Sequence, residues 1–141
     1  MKRTATAVWS GDLKTGNGAI STQSGVIKDS AYTFKARFED ESGKSATNPE
    51  ELIAAAHASC FTMQLSHFLA EAGHPAERLT TTAVVEVKPG VGITSSALTL
   101  TGKVPGMSAA DFSAAADKAK AGCPVSKALA AIEITLDAKL E

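Results

Sequence analysis

The stretch from Asn48 to Gly73 constrains this chain more than any other. Asn48-Pro49-Glu50-Glu51 opens a helix: Asn48 offers an N-cap acceptor, Pro49 sits where a missing amide costs little, and Glu51 can close a capping box. No Asp, Glu, Lys or Arg then occurs from Leu52 to Ala70, and Gly73 with Pro75 beyond it predicts a stop near Ala72. A helix without a polar stripe needs cover on most of its sides. A strand layer covers only one, so a second copy of the same helix is the simplest remedy. Ala54, Ala55, Ala56, Ala58 and Ser59 are small enough to let it approach. An intertwined homodimer is expected on that ground.

The remaining segments alternate between strand and helix signals. Thr4 to Trp9, Gly18 to Thr22 and Tyr32 to Phe38 read as strands, with turns at Gly11-Asp12, Gly16-Asn17-Gly18 and Ser24-Gly25. In the third, Tyr32, Phe34, Ala36 and Phe38 fall on one face, and Arg37 on the other. Glu39 to Thr47 reads as a polar loop. Strands are expected over Leu79–Lys88 and Ile93–Lys103, parted by Pro89-Gly90-Val91-Gly92. Ser108, with Asp111 for the box, caps a helix from Ala109 to about Ala121. Cys123-Pro124 then opens a short helix to about Ala131, and Ile132 to Leu140 alternates as a last strand. No internal repeat or low-complexity tract is present. Runs of strands separated by helix pairs predict an α+β fold, antiparallel sheets around the long buried helix.

Composition narrows the function classes. At 141 residues the chain fits one domain, 1–141. A formal net charge of −1 offers no basic excess for nucleic acid or an anionic membrane. His57, Ser59, Thr62, Gln64, Ser66 and His67 interrupt the uncharged stretch, so it does not read as a membrane span. No apolar run of signal-peptide length follows Met1-Lys2-Arg3, and a cytoplasmic protein is expected. In a reducing compartment two cysteines are more often redox-active or inert than a structural disulfide.

Cys60 lies mid-helix in His57-Ala58-Ser59-Cys60-Phe61, where it reads either as an inert buried thiol or as a reactive one. Burial raises a thiol's pKa, so reactivity would need a cation nearby. Arg37 is the best candidate, because a guanidinium stays charged when desolvated. His57, one turn away, reads either as a helper of Cys60 or as a core histidine with its hydrogen bonds satisfied. Cys123, at a helix start, reads as the more acidic thiol or as a mere cap. His57, Cys60 and Cys123 would give the three protein ligands of a catalytic zinc site, a third and weaker alternative. Glu50 suits the first helical turn whatever its role. It stands about ten positions, roughly 15 Å, from Cys60 along the helix, so a shared site would draw Glu50 from the partner subunit or use Arg37 as the link.

The long motif Thr47-Asn48-Pro49-Glu50-Glu51-Leu52-Ile53-Ala54-Ala55-Ala56-His57-Ala58-Ser59-Cys60-Phe61 closely resembles the central-helix signature of the OsmC/Ohr hydroperoxide-reductase family. Lys118-Ala119-Lys120-Ala121-Gly122-Cys123-Pro124-Val125-Ser126 is similar to its second cysteine motif, and Trp9-Ser10-Gly11-Asp12 and Ser21–Val26 match its opening. The resemblance implies an OsmC-like homodimer whose sites reduce organic hydroperoxides, and hydrogen peroxide less well, in oxidative and osmotic stress defence. It implies Cys60 as peroxidatic and Cys123 as resolving cysteine, with Arg37 and Glu50 beside the reactive thiol. It further implies an external dithiol reductant, with a lipoyl protein indicated by the sister branch, and no metal, flavin or heme. A non-enzymatic dimer that binds a small hydrophobic ligand or senses redox state is the alternative. A Cys-x-x-Cys oxidoreductase motif is not present.

Overall fold

The computed structural model describes residues 1–141 and divides into two compact units, Met1–Pro49 and Glu50–Glu141. In the first, strands β1 (Ala5–Ser10), β2 (Asn17–Thr22) and β3 (Ser30–Tyr32) form an antiparallel sheet in that order. The Asp12 carboxylate pins the β1–β2 turn by accepting from the Lys14 and Thr15 amides. Gly18 is required by close approach: a Cβ there would run into the Tyr32 ring and the Val8 carbonyl. Trp9 and Tyr32 pack with ring centroids 5.3 Å apart.

The expected strand from Tyr32 to Phe38 is corrected. It ends at Tyr32, and Phe34–Phe38 is a short helix, α1. Thr33 caps it, its Oγ1 accepting from the Ala36 amide at 3.0 Å. Phe34 and Phe38, read as alternate strand positions, are also one helical turn apart, and their rings meet in a tilted pair with centroids 5.0 Å apart. Arg37 therefore rides on a helix, its guanidinium 4.8 Å from the Phe38 ring centre. The following polar loop is gathered by Asp40, which accepts from the amides and hydroxyls of Ser42 and Ser45. Those bonds hold its carboxyl well below the usual carboxylate range.

The second unit holds α2 (Pro49–Glu71, whose first residue closes the first unit), β4 (Arg78–Lys88), β5 (Gly92–Lys103), α3 (Ala109–Gly122), α4 (Pro124–Ala128) and β6 (Glu133–Leu140). Its sheet runs β4-β5-β6 and is mixed, which corrects the all-antiparallel expectation: β5 and β6 are parallel. The cause is the connection. Two helices between β5 and β6 carry the chain back to the end where β5 began, as a parallel pair requires.

One face of this sheet is apolar. Register places Leu79, Gly102 and Leu140 in one row, Thr81, Leu100 and Ala138 in the next, then Ala83, Leu98 and Leu136, then Val85, Ser96 and Ile134. Against it pack Phe61, Leu65 and Leu69 of α2 and Phe112, Ala116 and Ala119 of α3, all buried. Gly102 leaves the space that the Phe112 ring fills. Ser108 caps α3 through the Asp111 amide, as expected. Along α2, full burial is confined to one stripe beyond the first turn, His57, Phe61, Leu65 and Leu69, rather than most of its circumference. Ala55, Ala56, Ser59 and Met63 are exposed, Met63 at 75%. No helix is long and apolar enough to cross a membrane.

Candidate active site

Two elements bring the cysteines together. Cys60 lies on α2 one residue before Phe61, so its side chain stands at the rim of the buried stripe and is half-buried. Cys123 is the residue between α3 and α4, where α3 ends and Pro124 starts the next helix. Its backbone N–H bonds the Ala119 carbonyl, and its side chain is wholly buried. Their sulfur atoms are 3.0 Å apart, both as free thiols. That separation is hydrogen-bond contact, short of a covalent bond.

The two thiols differ in access. An open cleft of about 480 Å³ lies over Cys60, lined by Ser59, Met63, Gln64, His67 and Pro124. Cys123 does not line it. A small molecule entering the cleft meets Cys60 first, and Cys123 stands behind.

They also differ in acidity. Burial pushes the Cys60 thiol up, the hydrogen bond with Cys123 adds to this, and the Val125 amide only partly offsets it. Burial opposes ionisation of Cys123 too, but the Cys60 thiol, the Ser126 amide and hydroxyl, and the Val125 amide outweigh it and bring Cys123 down. The Cys123 sulfur makes no side-chain capping hydrogen bond at the start of α4. Cys123 is the more acidic thiol, the outcome that a helix start predicts.

His57 faces away from this competition. It is fully buried, its Nδ1 2.7 Å from Ser96 Oγ and its Nε2 2.8 Å from Ser126 Oγ. Burial holds its pKa below the ordinary value, so the ring is neutral. With both nitrogens bonded to hydroxyls it is a satisfied core histidine and not a partner of Cys60. No group of three or more His, Cys, Asp or Glu is arranged to hold a metal ion, so the zinc reading of His57, Cys60 and Cys123 is dropped.

Ser96 and Ser126 were not singled out by the sequence. The signal for Ser96 was present: it shares the inward face of β5 with Leu98 and Leu100, where a hydroxyl needs a partner. Glu50, at the start of α2, is buried, an uncommon state for a carboxylate. Arg37 belongs to the first unit, on α1.

A half-buried helix thiol open to a cleft, touching a second thiol at a helix junction, defines a two-cysteine redox protein without a Cys-x-x-Cys motif. Comparison with known proteins agrees. The profile of the OsmC family, described as OsmC-like protein, matches residues 41–137. The chain is 51% identical over 138 residues to Peroxiredoxin OsmC of Escherichia coli, covering 96% of this chain and 94% of that one. Among solved structures, an OsmC-like protein of unknown function from Vibrio cholerae superposes with a TM-score of 0.76 at 15% identity, over 98% and 99% of the two chains. An organic hydroperoxide resistance protein OsmC from Legionella pneumophila superposes with a TM-score of 0.67 at 23% identity, over 98% and 96%. At such identities these two establish the shared fold. The chain belongs to the OsmC family.

Proposed function

We propose that this cysteine-based peroxidase reduces organic hydroperoxides at Cys60 and resolves the product with Cys123. The observation that supports the reading is the 3.0 Å contact between a thiol open to a cleft and a thiol buried behind it. The Cys60 thiolate attacks the distal peroxide oxygen, the O–O bond breaks, and the alkoxide takes a proton to leave as alcohol. Cys60 is then a sulfenic acid. The Cys123 sulfur displaces its hydroxyl, which leaves as water, and a disulfide forms. An external dithiol reduces that disulfide and becomes a disulfide itself, restoring both thiols. A lipoyl protein is the reductant of that chemical class we favour.

Access and acidity pull in opposite directions, and the proposed roles reconcile them. Cys60 is the thiol a peroxide reaches, yet within its own unit the proton stays on it. A guanidinium at the site would reverse that balance, and Arg37 is the residue we assign, with Glu50 orienting it by a charge-assisted hydrogen bond. Acidic Cys123 suits the other half of the cycle, because a thiol of low pKa leaves readily when a reductant attacks the Cys60 sulfur. The open apolar side of α2, with Ala55, Ala56 and Met63 exposed, supports an intertwined homodimer in which Glu50 serves the partner's site. We treat 1–141 as one OsmC-like domain, since the family match at 41–137 runs across the boundary between the units. We assign a cytoplasmic location, where a pair of cysteines is more often redox-active than a structural disulfide.

The test is peroxide consumption with cumene hydroperoxide and a dithiol, using wild type, Cys60→Ser and Cys123→Ser. Wild type should turn over and form one intramolecular disulfide. Cys60→Ser should lose turnover, and Cys123→Ser should accumulate sulfenic acid and stall. Full turnover by Cys60→Ser would overturn the reading.

A further inference from the structure

The contact of Cys60 with Cys123 has a second contact beside it, between the same two helices. His57 lies on α2 three residues before Cys60, and its Nε2 is 2.8 Å from Oγ of Ser126, three residues after Cys123. The partners run in opposite order along the two segments, so the pairs form the rungs of an antiparallel ladder. One helical turn along α2, about 4.5 Å of rise, separates the rungs.

The second rung falls where α4 has few apolar anchors. Of its five residues only Ser126 is buried, and Val125 packs half-buried against the core. A helix that short does not hold its own shape in water, so its place depends on what it is fastened to. The fastening group is itself held. His57 is fully buried, and its Nδ1 is 2.7 Å from Oγ of Ser96 on β5, the central strand of the sheet. Breaking the His57–Ser126 bond would leave two buried polar groups without each other, a costly state that keeps the rung closed.

We propose that His57 is a positioning residue for disulfide closure: braced by Ser96 and bonded to Ser126, it holds α4 on α2 so that the Cys123 sulfur stays within reach of Cys60. Its purpose rests on the peroxidase reading. Once a peroxide has reacted, the Cys60 sulfenic acid has two fates. Cys123 displaces the hydroxyl as water and the disulfide forms. Alternatively, a second hydroperoxide enters the open cleft, gives up an oxygen atom and leaves as alcohol, and Cys60 becomes a sulfinic acid. A dithiol reverses only the first outcome. A sulfur fixed in place competes at high effective concentration, whereas a loose α4 would yield to the second peroxide.

The test follows disulfide closure without peroxide. Dithiobis(nitrobenzoate) meets Cys60 in the cleft, forms a mixed disulfide and releases one thionitrobenzoate. Cys123 then displaces the second, and the first-order rate of that release is recorded against pH from about 7 upward, where His57 is neutral. Cys123→Ser, which should release only the first, identifies the step. Ser126→Ala should lower the high-pH plateau roughly three- to tenfold, the weight of one hydrogen bond. An unchanged plateau overturns the proposal, whether or not the midpoint of the profile moves, because a change in thiol acidity alone is not positioning. His57→Gln should slow closure at least as much, and the double variant no further than the slower single, since both remove one rung. Slowing that adds up in the double variant would mean two separate effects and overturns it too. Ser126→Ala decides alone if His57→Gln does not fold. An unchanged plateau beside normal peroxide turnover by wild type removes the His57 role alone. A lowered plateau beside a wild type that consumes no peroxide removes the peroxidase reading and leaves the ladder.

Discussion

The Cys60 and Cys123 sulfur atoms lie 3.0 Å apart although 63 positions separate the two residues in the chain. A disulfide between them would close a long loop in the unfolded state. Chain-entropy reasoning assigns such a closure roughly 4 kcal/mol at 25 °C. Protein oxidised with one equivalent of cumene hydroperoxide should therefore unfold at higher urea concentration than the reduced form, by up to about that amount. Equal midpoints, with the disulfide verified by mass, would mean that bonding distorts the α2–α4 junction enough to cancel the gain.

Much of this site was legible because its signals are local. Asn48-Pro49 marks the start of α2, Gly73 its end in a left-handed conformation (φ 81°), and Ser108 the start of α3. Cys123 followed by Pro124 announced a helix junction, and one is found. Where a pattern has two periods the reading failed. Phe34 and Phe38 satisfy both strand alternation and the helical i, i+4 spacing, and the Thr33 cap decides for the helix. Long-range partners left weaker traces. Nothing near His57 in the sequence points to Ser96 or Ser126, and the parallel pairing of β5 with β6 depends on how two helices return the chain.

Stability should depend on His57 in the acidic range. Its folded pKa lies below the ordinary imidazole value, because burial disfavours the charged ring. The unfolded chain therefore binds more protons just below the unfolded pKa, about 6.5, and stability rises with pH there. This contribution is present above the unfolded pKa and is lost as pH falls from it toward the folded value. Urea midpoints measured downward from pH 7 should decline, and His57→Gln, although less stable at pH 7, should flatten that slope. A slope unaffected by the substitution would assign the decline to other groups.

In the proposed mechanism Arg37 and Glu50 carry the electrostatic half. With the Arg37 guanidinium removed, Cys60 should retain the raised pKa that burial and Cys123 impose. Arg37→Met should slow the reaction of reduced enzyme with cumene hydroperoxide roughly tenfold or more, the effect of about one unit of thiolate pKa or of one lost charged contact. Arg37→Lys should recover only part, since a single ammonium cannot reproduce the two-pronged geometry of guanidinium. Stopped-flow measurement of thiol oxidation reads this step apart from recycling. A rate unchanged in Arg37→Met would free Arg37 from any part in the chemistry.

The exposed side of α2 makes the proposed dimer testable without touching the thiols. Ala55, Ala56 and Met63 leave an apolar strip of small and flexible side chains, interrupted by Ser59, on the helix whose opposite stripe forms the core. Met63 also lines the cleft over Cys60, so its replacement would confuse assembly with access. Ala56 is the better probe: it is exposed, one turn before Cys60, and outside the cleft lining. Ala56→Glu adds a charge that solvent tolerates on a monomer and that a helix–helix interface would have to bury, at a cost of several kcal/mol for an unpaired ion. Light scattering should find wild type at twice the chain mass and Ala56→Glu shifted toward one. If Glu50 works across the interface, peroxidase activity should fall in parallel with dissociation and return at high protein concentration. A monomeric Ala56→Glu protein with full activity would place the whole site within one chain.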